Sequence, residues 1–361
     1  MINERSLLVE RAAETAPLLS ICIPQFNRTS FLMVLLRSIE DQTFREVEIC
    51  VSDGGSNDGR ANEILMTLQN GTLPFRYARV EENLPYDANL RSSVHLARGH
   101  YCLLFGNDDA LADRDSLEKL SAAIREWHCP QVIVPNYLEL SSGTVMRRVK
   151  QTGILGAGPE AAVTNFRNFS FVSGLVLGRE QAQKFATEKW DGSEMYQMYL
   201  ACRILAAGGR LLGLNEVLVH KDIQITGESA DSYARRPRLR LRRVQEQRLP
   251  LSQYGQVAFD AISPYLDPSG RSRCAARIMS QVLLFTYPPW LLEYRRVQTW
   301  RFAAGVALGM RPAKVLSGLE LGRFRDAYLR CLYGLVTVAG LLFPKRAFEL
   351  LRPALYALAK R

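Results

Sequence analysis

Two short stretches of glycine, asparagine and aspartate, Ser52-Asp53-Gly54-Gly55-Ser56-Asn57-Asp58-Gly59 and Gly106-Asn107-Asp108-Asp109, each follow an apolar run that reads as a strand buried on both faces. A carboxylate at the end of a core strand is costly unless it is paired, hydrated or bound to a cation. At the carboxyl ends of neighbouring parallel strands, such acids face the crevice in which open α/β sheets take their ligands. The chain is thereby constrained to a fold that brings strand ends side by side.

The pattern around the two stretches agrees. Leu18 to Ile23, Val47 to Val51 and Tyr101 to Phe105 are short apolar runs bounded by Pro, Asp or Gly. Between the first two, Ser30 to Gln42 places Phe31, Val34, Leu35 and Ile39 at helical spacing, with Thr29 or Ser30 as N-cap, which makes a βαβ unit. Arg60 to Gln69 and Asn89 to Ala97 read as helices around a weaker strand, Phe75 to Val80. The alternation predicts an α/β fold, a mostly parallel Rossmann-like sheet with helices on both faces. Further on, Leu117 to Trp127 reads as a helix and Gln131 to Pro135 as a strand. Phe169 to Leu177 reads as a strand broken at Ser173-Gly174, and Met195 to Ala207 as a helix ended by Gly208-Gly209.

Charge divides the chain. Of its 46 lysines and arginines and 36 acids, residues 235 to 361 hold 23 and 7, so the back is +16 and the front −6. The change falls at Ala234 to Arg248, with seven arginines and one acid. We expect a tail over 1–16, a main domain over 17–233 and a basic, mostly helical extension over 234–361. A basic region of this kind points to an anionic partner, phospholipid or nucleic acid. Its apolar run Leu332 to Phe343 is about half the length that spans a bilayer, and reads as an interfacial or buried helix. Seven scattered cysteines without a CxxC pair argue for a reducing compartment and against a zinc site. The start of the chain lacks the unbroken apolar segment of a signal peptide.

In the first stretch, glycines such as Gly55 let the backbone turn and approach a ligand, and Asp53 is placed to accept hydrogen bonds from a base or ribose. The same residues also read as a turn in which Asp58 or Ser56 caps the next helix. In the second, Asp108 and Asp109 can chelate a divalent cation that neutralises a diphosphate, or again form a capped turn.

With these turns in order, the run Ser20-Ile-Cys-Ile-Pro-Gln-Phe-Asn-Arg28, then DQTF, EICVSDGGSNDG, ENLPYDANL and ARGHYCLLFGNDDAL, resembles a family 2 glycosyltransferase of the GT-A fold. It is similar to the bacterial subgroup that builds O-antigen and other surface polysaccharides, abequosyltransferase-like enzymes included, over roughly residues 17 to 233. The resemblance implies an inverting transfer from a nucleotide-activated sugar, with Mg²⁺ or Mn²⁺ on the diphosphate. It places Pro24 and Phe26 in the base pocket, Asp53 on the base, Asp108 near the ribose and Asp109 on the metal. Asn27, Gly55, Asp58 and Asn107 complete the expected nucleotide-sugar set. Many relatives carry an acid in place of Gly106, so metal binding here would rest on the last two positions.

The family draws its general base from an acidic pair near the start of a late helix, where this chain has Tyr196-Gln197. The nearest acids are Glu194 and Asp191, at or before the helix start, where the helix dipole favours the ionised form. Either also serves as a first-turn cap. The stretch His220-Lys221-Asp222 can fold over the donor diphosphate, with Lys221 supplying charge and His220 either a further metal ligand or an ordinary hydrogen-bonded residue, and Ser173-Gly174 resembles the place such enzymes leave for the acceptor, or is a bulge.

The expectation is a glycosyltransferase acting on a lipid-linked glycan acceptor, held on the inner face of the cytoplasmic membrane by its basic extension, with homo-oligomers open. A sugar nucleotidyltransferase would need a glycine-rich loop after the first strand, and IPQFNRTSF has none. A nucleic-acid-binding protein acting through Arg235 to Arg248 lacks ordered base-reading motifs. A non-catalytic relative is the third alternative.

Overall fold

The computed structural model describes residues 7–228, 243–247 and 249–359, and divides into two compact units, Met1–Ala230 and Asp231–Arg361. The boundary expected at 233/234, and with it most of the run Arg235 to Arg248, lies outside the described residues.

The first unit begins with β1 (Leu7–Arg11), β2 (Leu19–Gln25), α1 (Thr29–Glu40), β3 (Val47–Asp53), α2 (Ala61–Asn70), β4 (Phe75–Arg79), α3 (Tyr86–Leu96) and β5 (Tyr101–Leu104). There follow β6 (Ala110–Leu111), α4 (Ser116–Glu126), β7 (Val132–Glu139), β8 (Thr144–Met146), β9 (Gly153–Ala157) and α5 (Gly158–Asn165). It closes with β10 (Val176–Gly178), α6 (Arg179–Lys184), α7 (Tyr196–Ala206) and β11 (Arg210–Lys221).

The described strands form one sheet in the order β1-β4-β3-β2-β5-β10-β7-β11-β6, with β8 on β7 and β9 on β11. β4, β3, β2 and β5 run parallel, as the βαβ alternation predicts. The helices cover a core of Leu19, Ile21, Ile23, Leu32, Leu35, Ile49, Val51 and Leu103. Because Gln25 aligns with Asp53, the turns after β2 and β3 leave the sheet side by side, and the turn after β5 flanks them.

Two expectations are corrected. The N-terminal tail is not wholly a tail: residues 7–11 are β1, antiparallel to β4 as an edge strand. Phe169 to Leu177 is not a strand broken by a bulge. Phe166–Phe169 is a 3-10 turn, and only Val176–Gly178 pairs, antiparallel to both β5 and β7. Phe166 and Phe169 are apolar because they are buried, not because the segment is extended.

The second unit is helical: α8 (Tyr254–Ile262), α9 (Pro268–Gln281), α10 (Tyr287–Val297), α11 (Trp300–Gly309), α12 (Pro312–Val315), α13 (Arg323–Leu342) and α14 (Lys345–Ala359). α13 packs closely on α10, where a Cβ on Gly340 would stand 2.7 Å from Leu291 Cδ2. Arg295 Nη1 donates to the carbonyls of Gly340 and Phe343, satisfying acceptors left open at the end of α13. Buried Glu293 accepts from both Arg296 and Arg352 and ties α10 to α14. No single described helix is long and apolar enough to cross a membrane.

Candidate active site

The turn after β2 carries two consecutive left-handed residues, Asn27 (φ 53°) and Arg28 (φ 60°), a conformation in which asparagine is tolerated and arginine unusual. It is held by a polar lattice. Asn89 Nδ2 and Gly54 N donate to the Gln25 carbonyl, and Asn107 Nδ2 donates to Gln25 Oε1 at 2.7 Å. Asn27 N donates to Ser56 Oγ, and Asn57 N to Asn27 Oδ1. Gln25, Asn27, Ser56, Asn89 and Asn107 thus lock the turns after β2, β3 and β5 into one surface. Pro24 is buried as the penultimate residue of β2, while Phe26 is exposed just past its end.

Asp53 is fully buried and its oxygens are engaged. Ser56 N donates to Oδ1 at 2.8 Å, the Tyr77 hydroxyl to Oδ2 at 2.9 Å, and Arg79 Nε stands 3.6 Å from Oδ2. Burial, then the Asp53 charge, pushes the Tyr77 phenol up. Gly55 has φ +83°, and a Cβ there would meet the Glu82 carbonyl at 2.7 Å, so only glycine makes this turn. Asp58 takes a capping position, accepting from Thr29 Oγ1 at 2.7 Å and from Arg60 N. Partial burial opposes its ionisation, but these bonds and the Arg60 charge hold it below the usual range.

After β5, Asp108 pairs with Arg28 at 2.8 Å, and Asp109 is buried. Asp222 N donates to Asp109 Oδ1 at 2.9 Å, and Ser173 Oγ, which itself accepts from Gly106 N, donates to Oδ2. Burial and then the neighbouring Asp108 charge push Asp109 up to about 8, against these two hydrogen bonds. A Cβ on Gly106 would lie 3.1 Å from Asp108 Oδ1, so an acid at this position would crowd the pair.

A divalent cation fits two adjacent carboxylates whose mutual repulsion disfavours joint ionisation, and hard oxygen ligands suit Mg²⁺ or Mn²⁺. Asp108 and Asp109 are the residues that would hold it. Among the described residues no third His, Cys, Asp or Glu completes a metal cluster with them. His220 pairs through its backbone with Ala110, and burial lowers its pKa while the charge it feels is that of Asp113. The Lys221 ammonium is committed to Glu139, at 3.1 Å, and to Asp222.

Ser173 and Gly174 belong to a loop held from beneath by half-buried Arg148. Its guanidinium donates to the carbonyls of Pro135, Asn168, Phe171 and Ser173. Burial lowers that guanidinium to about 10. Gly174 (φ +84°) lies so close to Val219 and Pro135 that a Cβ would meet them at 2.9 and 3.0 Å. Ser173 is therefore a support of Asp109.

α3 organises the second side of the crevice. Asp87, fully buried, accepts from Gly192 N and Glu194 N at 2.8 Å and from Tyr196 N at 3.0 Å. Burial raises its pKa and those three bonds oppose the rise. One turn on, Arg91 holds Asp191 bidentately at 2.5 and 2.8 Å and also donates to the Thr187 carbonyl. The two sequence candidates for a base thus part company. Asp191 is bound in an ion pair, whereas Glu194 stands exposed on a strained left-handed backbone (φ 57°) just before α7. The Tyr86 phenol, at the start of α3, is pushed well above its ordinary range by burial and then by the charges of Asp87, Glu194, Asp108 and Asp109. Those carboxylates share the space around one side chain.

Gln25, Tyr77, Asn89, Asp87 and Arg91 escaped the sequence reading. Each lies in a strand or helix rather than in a glycine-rich turn, so composition did not mark it.

Residues 20–182 match Glycosyl transferase family 2. An abequosyltransferase of Salmonella typhimurium is 47% identical over 102 residues, 28% of this chain and 30% of that one. A PGL/p-HBAD biosynthesis glycosyltransferase of Mycobacterium bovis is 34% identical over 119 residues, 33% and 46% of the two chains. The chain thus spans between 30 and 46% of the length of these curated relatives. Among solved structures, S. aureus TarS 1-349 superposes over 89% of this chain and 90% of its own with TM-score 0.59 at 15% identity. A Pyrobaculum calidifontis mannosyltransferase, in complex with GDP-Man and Mn²⁺, does so over 91% and 88% with TM-score 0.50 at 17% identity. These likenesses show the GT-A fold. With the turns after β2, β3 and β5 locked together as described, the segment from Ser20 into α6 is similar to glycosyl transferase family 2, and the chain has the GT-A fold.

Proposed function

We propose that this chain is an inverting glycosyltransferase that moves a sugar from a nucleotide-sugar donor to a lipid-linked glycan acceptor in bacterial surface polysaccharide synthesis, at the inner face of the cytoplasmic membrane. The observation that carries this reading is the polar lattice of Gln25, Asn27, Ser56, Asn89 and Asn107, which locks the turn bearing Asp108 and Asp109 against the turns after β2 and β3. In support, TarS has been solved with UDP-GlcNAc, and the mannosyltransferase with GDP-Man and Mn²⁺.

The nucleotide lies across the turns after β2 and β3, with Phe26 and Pro24 against the base and Asn27, Gly55 and Asn107 lining its path. Asp53, already satisfied by Ser56, Tyr77 and Arg79, acts from beneath by shaping the turn that receives the base. Glu194 takes the proton from the acceptor hydroxyl as that oxygen attacks the anomeric carbon, and the bond from that carbon to the phosphate oxygen breaks with inversion. Asp108 and Asp109 would hold Mg²⁺ or Mn²⁺, which when bound would supply charge neutralisation at the nucleoside diphosphate. Arg28, paired with Asp108, adds a cation at the same place.

The test is a thermal-shift screen against UDP, GDP, TDP and CDP with and without Mn²⁺, since a ligand of the folded state raises its stability by mass action. The expected result is a metal-dependent shift with one nucleotide that disappears in Asp109→Ala. No shift with any nucleotide would overturn the reading in favour of a non-catalytic relative.

A further inference from the structure

We propose that the outer face of α13, together with the cationic segments at its two ends, is a docking surface for an anionic phospholipid bilayer. One side of this helix packs into its own unit. Leu329 and Gly340 are buried, the Tyr333 hydroxyl donates to the Ala307 carbonyl, and Thr337 hydrogen-bonds the Tyr287 hydroxyl. The opposite side should then be polar, as on an ordinary surface helix. It is instead apolar from end to end.

Phe324, Tyr328, Leu335, Val338 and Leu342 are 93, 52, 72, 58 and 72% exposed, and Ala327, Cys331 and Ala339 fill the positions between them. At 100° per residue these eight lie within one third of the helix circumference, in a stripe of five turns, about 27 Å long. No charged residue occurs from Cys331 to Pro344. Past a bend of 100°, α14 adds Leu350, 83% exposed, and Leu351. A continuous exposed apolar surface of this length marks an interaction site.

Charge selects the occupant. Arg323 and Arg325 stand at one end of the stripe and Lys345 and Arg346 at the other, within a region that carries +16 from residue 235 onward, while Arg330 and Arg352 are paired with Asp326 and Glu293. Two copies meeting through this face would bring like charges together, whereas an anionic headgroup layer complements them while the stripe enters the acyl boundary. The bent pair Arg323–Leu342 and Lys345–Arg352 has the combined length and composition of a span. Lys345 and Arg346 at the bend favour lying on the surface. The inference rests on the peripheral association proposed above and names its surface; it makes no use of the chemistry at Glu194.

The experiment is co-sedimentation of the full chain with phosphatidylcholine vesicles, with and without a third of phosphatidylglycerol. Wild type should pellet only with the anionic vesicles. Leu335→Glu combined with Val338→Glu should lower binding roughly tenfold or more, and Arg346→Glu should weaken it at low salt. Both glutamates replace exposed side chains, so circular dichroism and the melting curve should stay unchanged. Wild-type binding that the double variant retains would overturn the assignment to α13 while leaving membrane association intact. Absence of wild-type binding would remove both. A vesicle-independent dimer abolished by the double variant would make the face an interface between copies, and resistance to alkaline extraction would make the pair a span. Either would overturn the proposal.

Discussion

Asp87 and Glu194 show how one buried carboxylate governs another that is exposed. Asp87 spends both oxygens on three backbone N–H groups of the segment Gly192 to Tyr196, and so fixes the left-handed backbone at Glu194. If Glu194 is the base, as proposed, Glu194→Gln should lower kcat by about 10²- to 10⁴-fold, the usual contribution of general base catalysis, while nucleotide affinity measured by titration changes by no more than about twofold. Asp87→Asn keeps the volume but turns an NH₂ toward a backbone N–H. It should lower kcat by roughly 10- to 100-fold with nucleotide affinity unchanged, because a misplaced base costs rate and not binding. Equal losses in affinity and kcat in either variant would contradict this division of roles. The acids at Asp53, Asp108 and Asp109 were legible because glycine and asparagine surround them at strand ends. Asp87 was not, since a single acid in a helical pattern looks like any first-turn residue.

Among elements, the loop from Ser170 to Leu175 is a tightly held irregular segment of the first unit. Arg148 gathers its carbonyls from below, and Gly174 passes between Val219 and Pro135 with no room for a Cβ. Gly174→Ala would combine a steric clash with a strained φ, and should cost about 1–3 kcal/mol, read as a lower denaturant midpoint with an unchanged slope. Through Ser173 it should also weaken Mn²⁺-dependent stabilisation more than Gly143→Ala, at an open turn. The sequence misled here because periodicity does not separate a buried apolar loop from a buried strand. The parallel strands β2, β3 and β5 were legible for the opposite reason, being uniformly apolar between clear turn residues. β11 escaped because exposed Asn215 and Glu216 interrupt its pattern, at the place where its pairing with β7 changes register. β1 escaped because an edge strand carries no continuous apolar run.

For the whole molecule, the asymmetry between −6 over the first 234 residues and +16 over the rest predicts a salt response that differs between activities. Raising NaCl to about 0.5 M shortens the Debye length to a few ångströms, and should release the chain from phosphatidylglycerol vesicles measured by sedimentation. Binding that persists across that range would assign the association to apolar contact alone. This asymmetry was visible in composition, but the apolar stripe of α13 was not. The run Leu332 to Phe343 is apolar on every side, and only the fold shows which of those sides its own unit leaves uncovered.

A last consequence follows from α3. Tyr86, Asp87, Asn89 and Arg91 sit within two turns of it; Asn89 grips the Gln25 carbonyl, while Asp87 and Arg91 grip the segment from Thr187 to Tyr196. Both walls of the crevice are thus bolted to one rod, and a tilt of that rod carries them along together, keeping their spacing. A chimera that imports the 187–196 segment from a relative inherits only half of this joint, and transplanting specificity between such enzymes calls for moving α3 in the same piece.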